Sequence, residues 1–208
     1  APGSAIEIEK SFGVTLESFS VFGAVAGKGL HSMIGVTHSA DVHLSHLTVL
    51  ASSSADGISA AVGLGGVLMS ASVRDCVLVA DRGVVSAPGK NDYLLSAQLS
   101  LSGNILLASE SGVALSASCF HYGPLRIEDN LALFCAQGAM VITGSALGAS
   151  STVIAGNLMH VSGPGVVGGV SRMRVQDNDI IGLASRTAAH GFELVTGAEK
   201  GALDHVEV

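Results

Sequence analysis

One nine-residue phrase returns seven times along this chain: VTLESFSVF, VHLSHLTVL, SVRDCVLVA, LSLSGNILL, LRIEDNLAL, VIAGNLMHV and MRVQDNDII. Aligned on one position, the copies place Phe19, Leu47, Cys76, Asn104, Asn130, Asn157 and Asn178 in a single column, at intervals of 28, 29, 28, 26, 27 and 21 residues. Three residues upstream an aliphatic side chain recurs: Leu16, Leu44, Val73, Leu101, Ile127, Ile154 and Val175. About eight residues downstream of the asparagine a glycine (Gly112, Gly138, Gly165, with Gly83 and Gly57 at nearby offsets) opens a second apolar run. A short unit with no helical period cannot bury its own apolar face. Stacked on its neighbours at the parallel-strand spacing of about 4.8 Å, it contributes to one continuous core.

This predicts an all-β fold: a right-handed single-stranded parallel β-helix of about seven to eight coils of 21–29 residues. The hand follows from the strong right-handed preference of parallel crossovers. The repeat divides residues 1–208, read as one domain, into a first partial coil (1–13), repeating coils (14–194) and a terminal segment (195–208). The chain is expected to be part of a longer protein. Leucine-rich repeats have a similar period, but their Leu-x-x-Leu-x-Leu spacing is absent.

The column itself has a physical reading. Asparagine tolerates the left-handed backbone of a sharp bend, and stacked amides can hydrogen-bond to one another and to the turn backbone. Asn104, Asn130, Asn157 and Asn178 are therefore expected to form an internal ladder. Phe19, Leu47 and Cys76 are expected to continue it with apolar stacking that leaves no amide unsatisfied. The recurring DN and GN steps and the Gly-aliphatic runs after them resemble the right-handed parallel β-helix superfamily, the pectate-lyase-like fold, over Val14 to Leu194. The resemblance implies a scaffold shared by lyases, hydrolases, epimerases, phage tailspikes and adhesins, so it fixes no activity. The active-site strings of that family's enzymes are absent: paired Asp near Asn-Thr-Asp, Gly-His-Gly, and Arg-x-Lys.

Composition narrows the rest. The chain is 48% hydrophobic but only 13% charged, with net charge −7 and no basic cluster, which removes the electrostatic drive for nucleic acid. Gly, Ser, Asp or His interrupts every apolar run well short of the roughly 18–20 residues of a membrane helix. Cys76, Cys119 and Cys135 form no C-x-x-C pair and read as free thiols. No cofactor or metal is expected. His31, His38, His43 and His46 cluster in sequence but are read as surface residues. GPGVVGG (163–169) has glycine spacing without a following helix, and GAVAGKG (23–29) misses the phosphate-loop pattern.

The residues that could carry chemistry stand one position before the ladder, where Asp75, Asp129 and Asp177 recur every second coil, about 9.6 Å apart at parallel-strand spacing. Such a carboxylate separation suits inverting glycoside hydrolysis. Arg126 and Arg174, three residues before Asp129 and Asp177, could pair with uronates. Against this, Asp-Asn and Gly-Asn are ordinary turn dipeptides, and with no Trp and two Tyr the chain lacks aromatic platforms for sugar. The column Ser18–His46–Asp75 imitates a nucleophilic triad without a G-x-S-x-G elbow. The expected function is a non-catalytic scaffold or interaction domain of a larger secreted, surface or phage-type protein, with flanking domains or partner chains over the coil ends. The alternative is a carbohydrate-active or sugar-binding domain that takes a polysaccharide.

Overall fold

The computed structural model describes residues 4–25, 28–53, 56–86, 93–115, 119–143, 145–146, 151–169, 172–183, 191–194 and 206–207, with backbone alone at 119, 145–146, 194 and 206–207. Every regular element among them is a β-strand, and all strand pairs are parallel and join one turn to the next. The result is a parallel β-solenoid of about 6 turns. The seven to eight coils expected from sequence are too many, because seven copies of a phrase enclose only six complete turns.

Three walls run the length of the stack. The first is an eight-stranded sheet: Phe12–Glu17, Ala40–Ser45, Ala71–Arg74, Leu99–Ser102, Leu125–Glu128, Thr152–Ala155, Met173–Gln176 and Val206–Glu207. Its register stacks Leu16, Leu44, Val73, Leu101, Ile127, Ile154 and Val175 in one inward file. Five of the seven are fully buried, while Leu16 at one end is only partly covered. The second wall begins one residue after the ladder position, where Ser20, Thr48, Val77, Ile105, Leu131, Leu158 and Asp179 stand in register. The third wall returns through Ile34, Val62, Val84, Val113, Met140, Val166 and Phe192.

The downstream glycines have a steric cause. A Cβ built on Gly83 would fall on the backbone carbonyl of Gly112, and one on Gly112 would crowd the carbonyl of Ala139. The strands bulge here, with a register shift between Ala108 and Ser111 that turns the second wall into the third. Mid-sheet carbonyls cannot swing aside, so Gly83→Ala is expected to cost about 1–3 kcal/mol. Thermal unfolding checks this, and an unchanged midpoint contradicts the packing described. The segment containing GPGVVGG becomes a third-wall strand, Val166–Gly168.

Candidate functional site

The bend between the first and second walls is built the same way in all seven copies. Ser18, His46, Asp75, Gly103, Asp129, Gly156 and Asp177 all adopt positive φ, between 53° and 66°. The asparagines do not, so the left-handed residue is the one before each rung and the asparagine is freed to point inward. Five of the seven are Gly or Asp, which tolerate this conformation best, while Ser18 and His46 adopt it at greater cost.

Inside the bend the amides bond in series. Asn104 Nδ2 donates to Asn130 Oδ1 (2.9 Å), Asn130 Nδ2 to Asn157 Oδ1 (2.9 Å), and Asn157 Nδ2 to Asn178 Oδ1 (2.8 Å). Each acceptor oxygen also takes the backbone N–H of the preceding rung. Each Nδ2 also donates to the carbonyl of the aliphatic residue one turn back: Val73, Leu101, Ile127 and Ile154. Cys76 belongs to this system and is not merely apolar filler. Its N–H donates to Asn104 Oδ1, and its single S–H faces the carbonyl oxygens of Arg74 (3.2 Å) and Leu44 (3.8 Å), the positions that a rung amide would use. Burial pushes the Cys76 thiol above its ordinary pKa, and the buried Cys135 thiol is pushed up to about 11. The side chain of Cys119 lies outside the described residues.

The aspartates of the bend alternate with glycine for a packing reason that spacing alone does not reveal. A Cβ on Gly103 would land on the Asp75 carboxylate, and one on Gly156 on the Asp129 carboxylate. Each carboxylate thus lies along the stack in the space that the next turn's glycine leaves open. Arg126 Nη1 sits 3.2 Å from Glu128 Oε1, on its own strand. Arg126 and Arg174 share an outward file with Val153 between them, and Asp177 is exposed on the last of the seven bends.

The histidines diverge. His46 lies between Glu17 (Nδ1 to Oε1 3.6 Å) and Asp75 (Nε2 to Oδ2 4.0 Å) on the bend, and Ser18 there donates its backbone N–H to the Ser45 carbonyl. His43 points outward from the first wall, with Nε2 3.0 Å from Asp41 Oδ1 and Nδ1 2.8 Å from Ser72 Oγ. This is a Ser–His–Asp chain of hydrogen bonds across the sheet, which spacing along the bend file does not reveal. Ser72 sits mid-sheet, paired on both sides with His43 and Ser100, so its strand aims no spare amide at a developing oxyanion. His38 stacks edge-on to Tyr93 with ring centroids 6.3 Å apart. His31 Nε2 lies 3.1 Å from the Lys28 carbonyl oxygen. Among the described residues no group of three or more His, Cys, Asp or Glu is placed to hold a metal ion.

Two polar centres lie away from the repeat phrase. Asp81, where the second wall turns into the third, accepts the Ser59 N–H (2.8 Å) and the hydroxyls of Ser59 (2.9 Å) and Ser109 (2.9 Å). Burial pushes its carboxyl up, but these bonds and one from the Ser53 hydroxyl outweigh burial and hold its pKa below the ordinary value. His121 is 1% exposed, with Nδ1 2.6 Å from Ser96 Oγ. Among the described residues its Nε2 has no partner. Burial drives its pKa down to about 4, so it is neutral near pH 7.

The outer face of the second wall is different in kind. One outward file reads Phe22, Leu50, Val79, Leu107, Leu133, His160, Ile181. The neighbouring file, two residues earlier on each strand, reads Ser20, Thr48, Val77, Ile105, Leu131, Leu158, Asp179. Phe22 is 64% exposed, Ile181 46%, Ile105 38%, Leu50 37% and Leu158 37%, and the bulged Phe134 beside them is 59% exposed. Comparison with protein-family models, curated proteins and solved structures found no match. The apolar wall is therefore read from its own chemistry. Neither file carries a Lys or Arg, and Asp179 is the one carboxylate in the two files.

Proposed function

We propose that this chain is a non-catalytic β-solenoid scaffold and interaction domain, working within a larger secreted, surface or phage-type protein. The observation that carries the reading is the apolar outer face of the second wall, because exposed apolar surface of this extent on a soluble chain marks a place of contact. The polar residues of the bend support it: the amides are consumed in the ladder, and Asp75 and Asp129 fill the space over glycines. The first strand of each wall, Ile6–Glu9, Phe12–Glu17 and Ser20–Val25, pairs on one side only among the described residues. Open strand edges of this kind are normally covered, so flanking domains or partner chains belong at that end. A right-handed coil and kinship with the pectate-lyase-like superfamily are part of this reading, supported by the crossover preference and by the DN and GN steps.

The competing reading is a carbohydrate-active domain working through Asp129, Asp177, Arg126 and Arg174. Incubation with neutral and acidic polysaccharides, wild type beside Asp129→Ala and Asp177→Ala, separates the two. The scaffold reading expects no product from any of the three proteins. New reducing ends or unsaturated uronates from the wild type alone overturn it.

A further inference from the structure

We infer that the apolar second wall docks on the same wall of a second copy of this chain, forming a face-to-face dimer. The inference rests on the interaction reading above and names its partner. The first argument is area. Six side chains of this face, Phe22, Leu50, Ile105, Phe134, Leu158 and Ile181, are between 37% and 64% exposed. At about 200 Å² for a fully exposed large side chain, and with the half-buried Val77, Val79, Leu107, Leu131 and Leu133 added, the face offers on the order of 600–700 Å². Two copies then bury on the order of 1,300 Å² in total, inside the range of stable interfaces, whereas the largest patch on an ordinary monomer is about 300–600 Å².

The second argument is shape. Side chains stacked at one strand spacing form parallel ridges on a flat sheet, and two such sheets interdigitate about 10 Å apart, as in a sandwich core. An identical face has matching ridges by construction, and a two-fold arrangement closes without leaving a growing end. The third argument is charge, which also sets the orientation. Each chain carries net charge −7, and one long edge of the face is lined by the exposed Asp75, Asp129 and Asp177. A two-fold axis perpendicular to the solenoid axis, in the plane of contact, would press those edges together. An axis parallel to the solenoid axis sets each acidic edge against the opposite edge of the partner, where Asp81 and the Arg82–Glu110 ion pair stand in place of three stacked carboxylates. The dimer therefore has parallel solenoid axes, with its acidic edges apart.

The test is sedimentation equilibrium of the full chain up to about 100 µM, with Ile105→Glu and Leu158→Glu as separate variants and bis-ANS fluorescence read alongside. Both side chains are exposed on the isolated chain, so both variants keep the wild-type β circular dichroism. The expected result is a wild-type dimer that each variant weakens by about 100-fold or more, since a buried unpaired charge is costly. A dimer that persists unchanged in both folded variants overturns the inference. A monomeric wild type whose bis-ANS signal is lost in the variants also overturns it while leaving the interaction reading standing. A monomer that binds no dye at this face overturns both.

Discussion

Replacing Asn130 with Asp is expected to lower the unfolding midpoint by about 10 °C. Asn130 is 2% exposed and stands inside the ladder, where its Nδ2 donates to Asn157 Oδ1 and to the carbonyls of Leu101 and Glu128. An aspartate of the same shape turns that donor into an acceptor facing three acceptors. It must then either carry a buried charge or hold a proton that serves only one of them. One unsatisfied buried group costs about 1–3 kcal/mol and a charge more, so a loss of about 3–5 kcal/mol follows. At about 2–4 °C per kcal/mol for a chain of this size, that is the stated shift. The same change at Asn178 is expected to be much milder, because that rung is only part-buried. Thermal melts of Asn130→Asp and Asn178→Asp, compared at one pH, check the ordering; equal losses contradict it.

Acidification is expected to destabilise the protein between about pH 6.5 and pH 4 through His121. Burial depresses its folded pKa to about 4 from 6.5. Above pH 6.5 neither state binds a proton there and the residue contributes no slope. Below that the unfolded chain takes up a proton that the folded core refuses, so stability falls with pH until the folded pKa is reached. A difference of this size amounts to about 3 kcal/mol across the window. Denaturant unfolding of the wild type and His121→Leu at pH 7, 5.5 and 4 measures it. The variant loses the His121 share of the slope, and parallel curves for the two proteins refute the assignment.

The two halves of this molecule were unequally legible. The ladder could be read because the bend restricts which residues can occupy it, so Asn, Asp and Gly recur at one phase. Which of them takes the left-handed conformation could not be read. Asn130 and Asp129 both tolerate it, and only the inward bonds of the asparagine assign the bend to its neighbour. The role of Cys76 was hidden because a thiol reads as apolar, although it can donate to the same carbonyls as an amide. The apolar outer wall did leave a signal. VLVA, ILLA and LALF are apolar on both faces of their strands, the pattern of a sheet covered on both sides. In those runs Val79, Leu107 and Leu133 face outward. His121 lies on Cys119–His121, a short strand outside the repeat phrase, so no periodicity announced its burial.

At the centre of the account is a stack of turns whose polar bend residues are spent on internal order, leaving the outer wall for contact. Hydrogen exchange of the asparagine side-chain amides, followed by NMR on the native protein, addresses it most directly. Asn104, Asn130 and Asn157 should exchange slowly, at the rates of the core backbone amides, with Asn178 faster because it is only part-buried. Side-chain amides that all exchange at the rate of exposed asparagine would mean that the turns do not stack as described.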